Sequence, residues 1–134
     1  MADKTYVCVA AVEVKEVFDN KYKATLPKLI REALVKAVDR SSKLTTKPPA
    51  DKNAQGFYAA GVLWLRRTTK GVEAEIDVVL ADWPKKNMFG SKNSKAPVAV
   101  PNPDKIDQKV DEVVEAVVEH IQENVVKGLE GRAK

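Results

Sequence analysis

Apolar residues run almost unbroken over residues 6–14, recur every three or four positions over 26–38, and alternate with polar ones over 72–80. The first pattern is rich in valine and has no helical period, which predicts a buried interior strand. The second places Leu26, Leu29, Ile30, Ala33, Leu34, Ala37 and Val38 on one stripe of a helix. Thr25 is a suitable cap, and Pro27 is tolerated in a first turn, where amides have no intrahelical partner. That helix is expected to end near Arg40-Ser41-Ser42. The segment 43–55, with Pro48-Pro49, predicts a short extended piece and a loop.

Two strands follow, 56–68 and 72–83, with a turn around Lys70-Gly71. A two-residue loop at Lys70-Gly71 pairs Leu65 with Ile76, and one at Thr69-Lys70 pairs Leu65 with Ala74. Parity is the same in both registers. One face takes Phe57, Ala59, Gly61, Leu63 and Leu65 with Val72, Ala74, Ile76, Val78 and Leu80, and helices should cover it. The other takes Tyr58, Ala60, Val62, Trp64 and Arg66 beside Glu73, Glu75, Asp77, Val79 and Ala81.

Residues 84–97 hold four lysines and no acid and show neither period, so they predict a mobile loop. Val98-Ala99-Val100 predicts a short edge strand between two prolines. Asn102, Pro103 and Asp104 then open a long helix with a stripe of Ile106, Val110, Val113, Val114, Val117, Ile121 and Val125, and Gly128 is its expected terminator. The expected fold is one α+β domain spanning residues 1–134. It has a small, mostly antiparallel sheet with two helices on one face, in the order β-α-β-β-(β)-α.

Composition adds little to this and removes much. With 44% hydrophobic and 31% charged residues the chain can bury a core, and no apolar run reaches membrane-helix length. The net charge is +4, but residues from Asp104 onward carry eight acids and five bases, which leaves +7 on the first 103 residues. The N-terminus lacks the basic-then-apolar pattern of a signal peptide. The compartment is therefore periplasmic if a signal peptide was removed and cytoplasmic if Met1 is native.

Candidate chemistry is sparse. Cys8 is the sole cysteine, in an apolar run, and is expected to behave as a small hydrophobe. His120 is the sole histidine and flanks the apolar stripe of the last helix, so neither a nucleophile–base pair nor a zinc cluster is indicated. Glu73, Glu75 and Asp77 share a strand face at roughly 7 Å spacing, too far apart to hold one cation unaided, and Arg66 faces them as a cross-strand pair. No catalytic residue, metal site or cofactor is expected. Gly90-Ser91-Lys92 lacks the glycine pattern of a phosphate loop. Lys85, Lys86, Lys92 and Lys95, with Met88 and Phe89, form a candidate polyanion grip.

Tyr58, Val62, Trp64, Val79 and Trp83 all project away from the helix-covered face, a heavy apolar load for an open sheet surface. Two readings stand: cover by the chain's own 84–97 segment, or a protein partner or second copy.

The segments 56–65 and 72–82, with Gly61 and the strand-ending Asp82, resemble bacterial envelope domains. These are the N-terminal domain of TolB and the related domain of curli-type lipoproteins such as CsgG. Strand 7–14, helix 26–38 and closing helix 106–121 fit that layout. The resemblance implies a non-enzymatic module that binds protein partners in the envelope, and it brings no catalytic residue. The leading expectation is therefore a protein-interaction or assembly module. The alternative is a nucleic-acid-binding domain that uses the basic 84–97 segment.

Overall fold

The computed structural model describes residues 4–51 and 53–133. The chain forms β1 (Thr5–Val9), β2 (Glu13–Val17), α1 (Lys21–Arg40), β3 (Leu44–Thr45), β4 (Gly56–Arg67), β5 (Gly71–Trp83), β6 (Met88–Ala99) and α2 (Ile106–Arg132). A single 3-10 turn, Pro103–Lys105, precedes α2, and Asn102 caps it by accepting from the Asp104 amide. The fold class is α+β, as the periodicities predict. The sheet runs β3-β1-β4-β5-β6, with β2 beside β4 beyond the end of β1. It is mixed: β1 and β2 lie parallel to β4, and β1 parallel to β3, while β4, β5 and β6 are antiparallel.

The expected first strand is in fact two. Residues 10–12 interrupt it, and both halves pair with the same edge of β4. Val12 explains the break. Its side chain turns inward and occupies the space over Gly61, where a Cβ would lie 3.4 Å from Val12 Cγ2. The β4–β5 register is the one with Leu65 opposite Ala74 and Leu63 opposite Ile76.

The largest departure from the sequence reading lies in residues 84–97. Only 84–87 form a turn, because β6 runs from Met88 to Ala99 beside Gly71 to Ala81 of β5. A thirteen-residue β5 exposes a row of amides and carbonyls on its second edge, and a backbone ladder needs no apolar side chains to satisfy them. Ser94, Ala96 and Val98 fall on the helix side, while Ser91, Asn93, Lys95 and Pro97 face away. Pro97 sits on this edge strand, where proline is tolerated.

Both helices cover one face, α1 over β1, β2 and β3, and α2 over β5 and β6. Ile30, Leu34 and Val38 of α1, with Val114, Val117, Ile121 and Leu129 of α2, meet Leu63, Leu65, Ile76, Val78 and Leu80, all at most 3% exposed or buried outright. Each such side chain contributes about 1.5–3 kcal/mol through lost water contact.

Two expected helix ends move, for tertiary reasons. α1 begins at Lys21 and not at Thr25, so Pro27 lies inside it. Its first turn is anchored by buried Tyr22, whose hydroxyl donates to the Asp107 carboxylate at the start of α2. α2 passes through Gly128, which lets Lys92 and Leu80 pack against the helix, and Leu129 continues the buried stripe. At the far ends Ser41 Oγ donates to the Glu130 carboxylate, and midway Gln122 Nε2 donates to the Ala33 carbonyl at 2.8 Å. The two helices therefore run in the same direction with their ends level.

Leu63→Asp should cost at least about 3 kcal/mol, as an uncompensated buried charge does. A Cβ on Gly71 would lie 2.0 Å from the Val98 carbonyl oxygen, whereas at Gly90 nothing lies within 4 Å. Gly71→Ala should thus lose about 1–3 kcal/mol to overpacking, and Gly90→Ala should stay within about 0.5 kcal/mol of the parent. Urea melts of the three variants check this, and equal effects at the two glycines would refute the β5–β6 pairing. Trypsin offers a second check. It should cut at the exposed turn residues Lys85 and Lys86 well before Lys92 or Lys95, which are held in β6.

Candidate functional site

The sheet face turned away from the helices is built by β4 and β5 at its centre, β1 and β2 on one flank and β6 on the other. Alternation brings Tyr58, Val62 and Trp64 of β4 together with Val79 and Trp83 of β5, all five half-buried. The expected grouping of these five is therefore what the strands produce. Residues 88–97 do not fold over them, since they extend the sheet sideways as β6, and of the turn before it Lys86 reaches over Tyr58.

The face has two halves. Near the start of β4, Tyr58, Ala60, Val62, Val79, Ala81 and Trp83 make an apolar area. Parallel pairing adds Tyr6 and Cys8 to it, opposite Gly56 and Tyr58. Tyr6 packs edge-on to Trp83 with ring centroids 4.7 Å apart, and the Lys86 ammonium lies 4.8 Å above the Tyr58 ring. Burial, then the Cys8 thiol, pushes the Tyr6 phenol up from its ordinary pKa.

The other half is ionic. Arg66 Nε donates to Glu16 Oε2 at 3.0 Å and its Nη1 to Glu75 Oε1 at 2.9 Å, while Glu73 lies 3.6 Å away. Asn93 Nδ2 donates to both Glu75 and Asp77 at 3.0 Å, and Lys95 Nζ stands 3.5 Å from Glu73. Four carboxylates thus meet two cations, and the surplus charge is negative. The Arg66 guanidinium also stacks 5.7 Å over Trp64, which joins the ionic half to the apolar one.

The four candidate polyanion-binding lysines do not form one patch. Lys85 and Lys86 are in the β5–β6 turn, Lys95 faces the acidic half, and Lys92 points to the opposite face beside Gly128 of α2. His120 Nδ1 sits 3.2 Å from the hydroxyl of buried Ser94, on the helix side of β6. Among the described residues no group of three or more His, Cys, Asp or Glu is placed to hold a metal ion.

Sequence reasoning missed Glu16, Asn93, Tyr6 and Cys8 as members of this face. What brings them there, the pairing of β1, β2 and β6 with the hairpin, was not available in the sequence.

The sequence matches no known family model and no curated protein. The fold is shared with bacterial proteins of known structure. A neuraminyllactose-binding hemagglutinin homolog from Helicobacter pylori aligns with a TM-score of 0.60 at 13% identity, covering 97% of this chain and 87% of its own. The PelC dodecamer of Paraburkholderia phytofirmans aligns at 0.58 and 11% identity, over 88% and 86%. The minor lipoprotein of Acinetobacter baumannii aligns at 0.51 and 8% identity, over 90% and 92%. At such identities the likeness is one of fold. It bears out the coarser half of the sequence resemblance, a fold like that of bacterial envelope lipoproteins. The TolB structure that aligns scores 0.35 and carries no argument.

Glu75 supplies a pH test of the ionic half. The Asn93 amide, then the Arg66 guanidinium, holds its carboxyl below the ordinary value of 4.5. A depressed folded-state value means that the stabilisation is complete at neutral pH and is lost as pH falls through that lower value. Glu75→Gln should therefore be less stable than the parent at neutral pH, and the gap should close under acid below 4.5. Urea melts of both proteins at descending pH measure it, and a gap constant across pH would show that the ionisation of Glu75 contributes nothing.

Proposed function

We propose that this chain is a non-enzymatic protein-interaction or assembly module of the bacterial cell envelope, which docks a protein partner on its open sheet face. The observation that carries this reading is the half-buried set of Tyr58, Val62, Trp64, Val79 and Trp83 on a face that neither helix covers. Tyrosine and tryptophan anchors in an apolar centre with a charged border are the usual anatomy of a protein interface. The border here has surplus carboxylates, which favours a partner with basic groups around its own apolar patch. The shared fold with a bacterial lipoprotein supports the compartment, and the dodecameric state of PelC supports assembly as a use of this fold. No helix among the described residues is long and apolar enough to cross a membrane.

Nucleic-acid binding through Lys85, Lys86, Lys92 and Lys95 is not the use this geometry favours. Its lysines point in different directions, and the aromatic face beside them is acidic.

The test compares the parent with Trp64→Ala, Val62→Glu and Val79→Lys in pull-downs from envelope fractions, followed by titration of the captured protein. Each variant should melt within a few degrees of the parent and lose about tenfold or more in affinity for that protein. Undiminished binding by all three would eliminate this face as the docking surface. A salt-steep affinity for duplex or single strands would favour nucleic acid instead.

A further inference from the structure

The helix layer, on the side away from the open sheet face, has its own unpartnered features. A groove of about 470 Å³ lies between α1 and α2, with Leu26, Ala33, Val114 and Val118 at its base. Leu29 projects into it and is 53% exposed. The other large hydrophobic side chain so exposed among the described residues is Met88, on the opposite side of the molecule. An exposed leucine beside an apolar groove is both a knob and a hole.

Charge divides the two helices. α1 carries six Lys or Arg against two acids, and α2 carries seven acids against three Lys or Arg. Of the two α1 acids, Asp39 is bonded to the Thr46 amide and hydroxyl. Along the groove, Asp111, Glu115 and Glu119 of α2 have no ion-pair partner among the described residues, and elsewhere on the exposed side of α1 neither do Lys28 and Lys36. Opposite charges stand exposed on adjacent parallel helices without meeting.

We propose that two copies of this chain associate through their helix layers, about a two-fold axis that runs along the groove. Because α1 and α2 are parallel with level ends, that rotation places α1 of each copy over α2 of the other and preserves the level of every residue. The contacts Tyr22–Asp107, Ala33–Gln122 and Ser41–Glu130 set the level, at separations of 85, 89 and 89 residues. Lys28 then stands opposite Glu115 of the second copy. The two Leu29 side chains meet near the axis, each entering the other groove. Helices of this length give a surface about 30 Å by 20 Å, roughly the footprint of a standard interface. The resulting order is sheet, helices, helices, sheet. It leaves both open sheet faces free, so this inference does not rest on the docking proposed for them.

Sedimentation equilibrium of the whole chain tests it. The parent should dimerise, and more weakly as salt rises. Leu29→Glu should raise the dissociation constant about a hundredfold, since a carboxylate would enter an acidic groove. Its thermal melt at dilute concentration should match the parent, because Leu29 is exposed in the single chain. The charge-reversed chains Lys28→Glu and Glu115→Lys should each dimerise poorly alone. Mixed together they should form a heterodimer, because each altered helix then meets its complement. A parent that stays monomeric at its solubility limit would overturn the proposal. So would a dimer that resists Leu29→Glu but dissociates with Trp64→Ala, which would move self-association to the sheet face. Failure of the mixed chains to pair would overturn the charge register.

Discussion

The twelve-residue strand β4 runs through the middle of the sheet, and both of its edges carry amides and carbonyls that must be paired inside the protein. One edge is satisfied along its whole length by β5. The other is shared by two short parallel strands, β1 and then β2, and the chain has to step inward between them at Val12. Gly61 provides the room for that step. From this one demand follow the mixed character of the sheet and the crossover that carries α1 over one face. It also places Tyr6 and Cys8 beside Tyr58 on the other face. β5, in turn, presents a second edge that β6 completes.

The helix layer is held by polar ties at its two ends and its middle, with valines filling the space beneath. Tyr22 is the clearest case, because it is buried among apolar neighbours and its hydroxyl still finds the Asp107 carboxylate. Burial, then that carboxylate, pushes the Tyr22 phenol well above its ordinary pKa, so the hydroxyl remains a donor. Asp107 is held low in its turn, first by Lys21 at 2.7 Å and then by Tyr22. Matched ends of this kind keep the helices parallel and level. The groove between them inherits its apolar α1 wall and its acidic α2 wall from that alignment.

The two outer surfaces of the domain therefore differ in kind. One is a flat sheet with aromatic residues at one end and a carboxylate-rich network at the other. The second is a pair of ridges with an apolar furrow. Both are broad and open.

Much of this was legible in the residues alone. The α+β class, the hairpin, the division of its side chains between two faces and the stripes of both helices follow from periods of two and of three to four, which are local properties of the backbone. Parity survived an uncertain turn position because moving a two-residue loop by one leaves every side chain on the same face. The five aromatic and aliphatic members of the open face were identified in this way. What only the tertiary structure decided were pairings between distant segments. β6 has too few apolar residues to show a strand period, and it exists because β5 had an edge to satisfy. The break at Val12, the early start of α1 at Tyr22 and the run of α2 through Gly128 each answer to a neighbour far away in the chain. The open face gained Glu16 and Asn93, and the lysines of β6 were divided between its two sides, for the same physical reason. A hydrogen-bonded ladder fixes which side chains share a surface, and its partners are chosen by backbone groups that every residue carries alike.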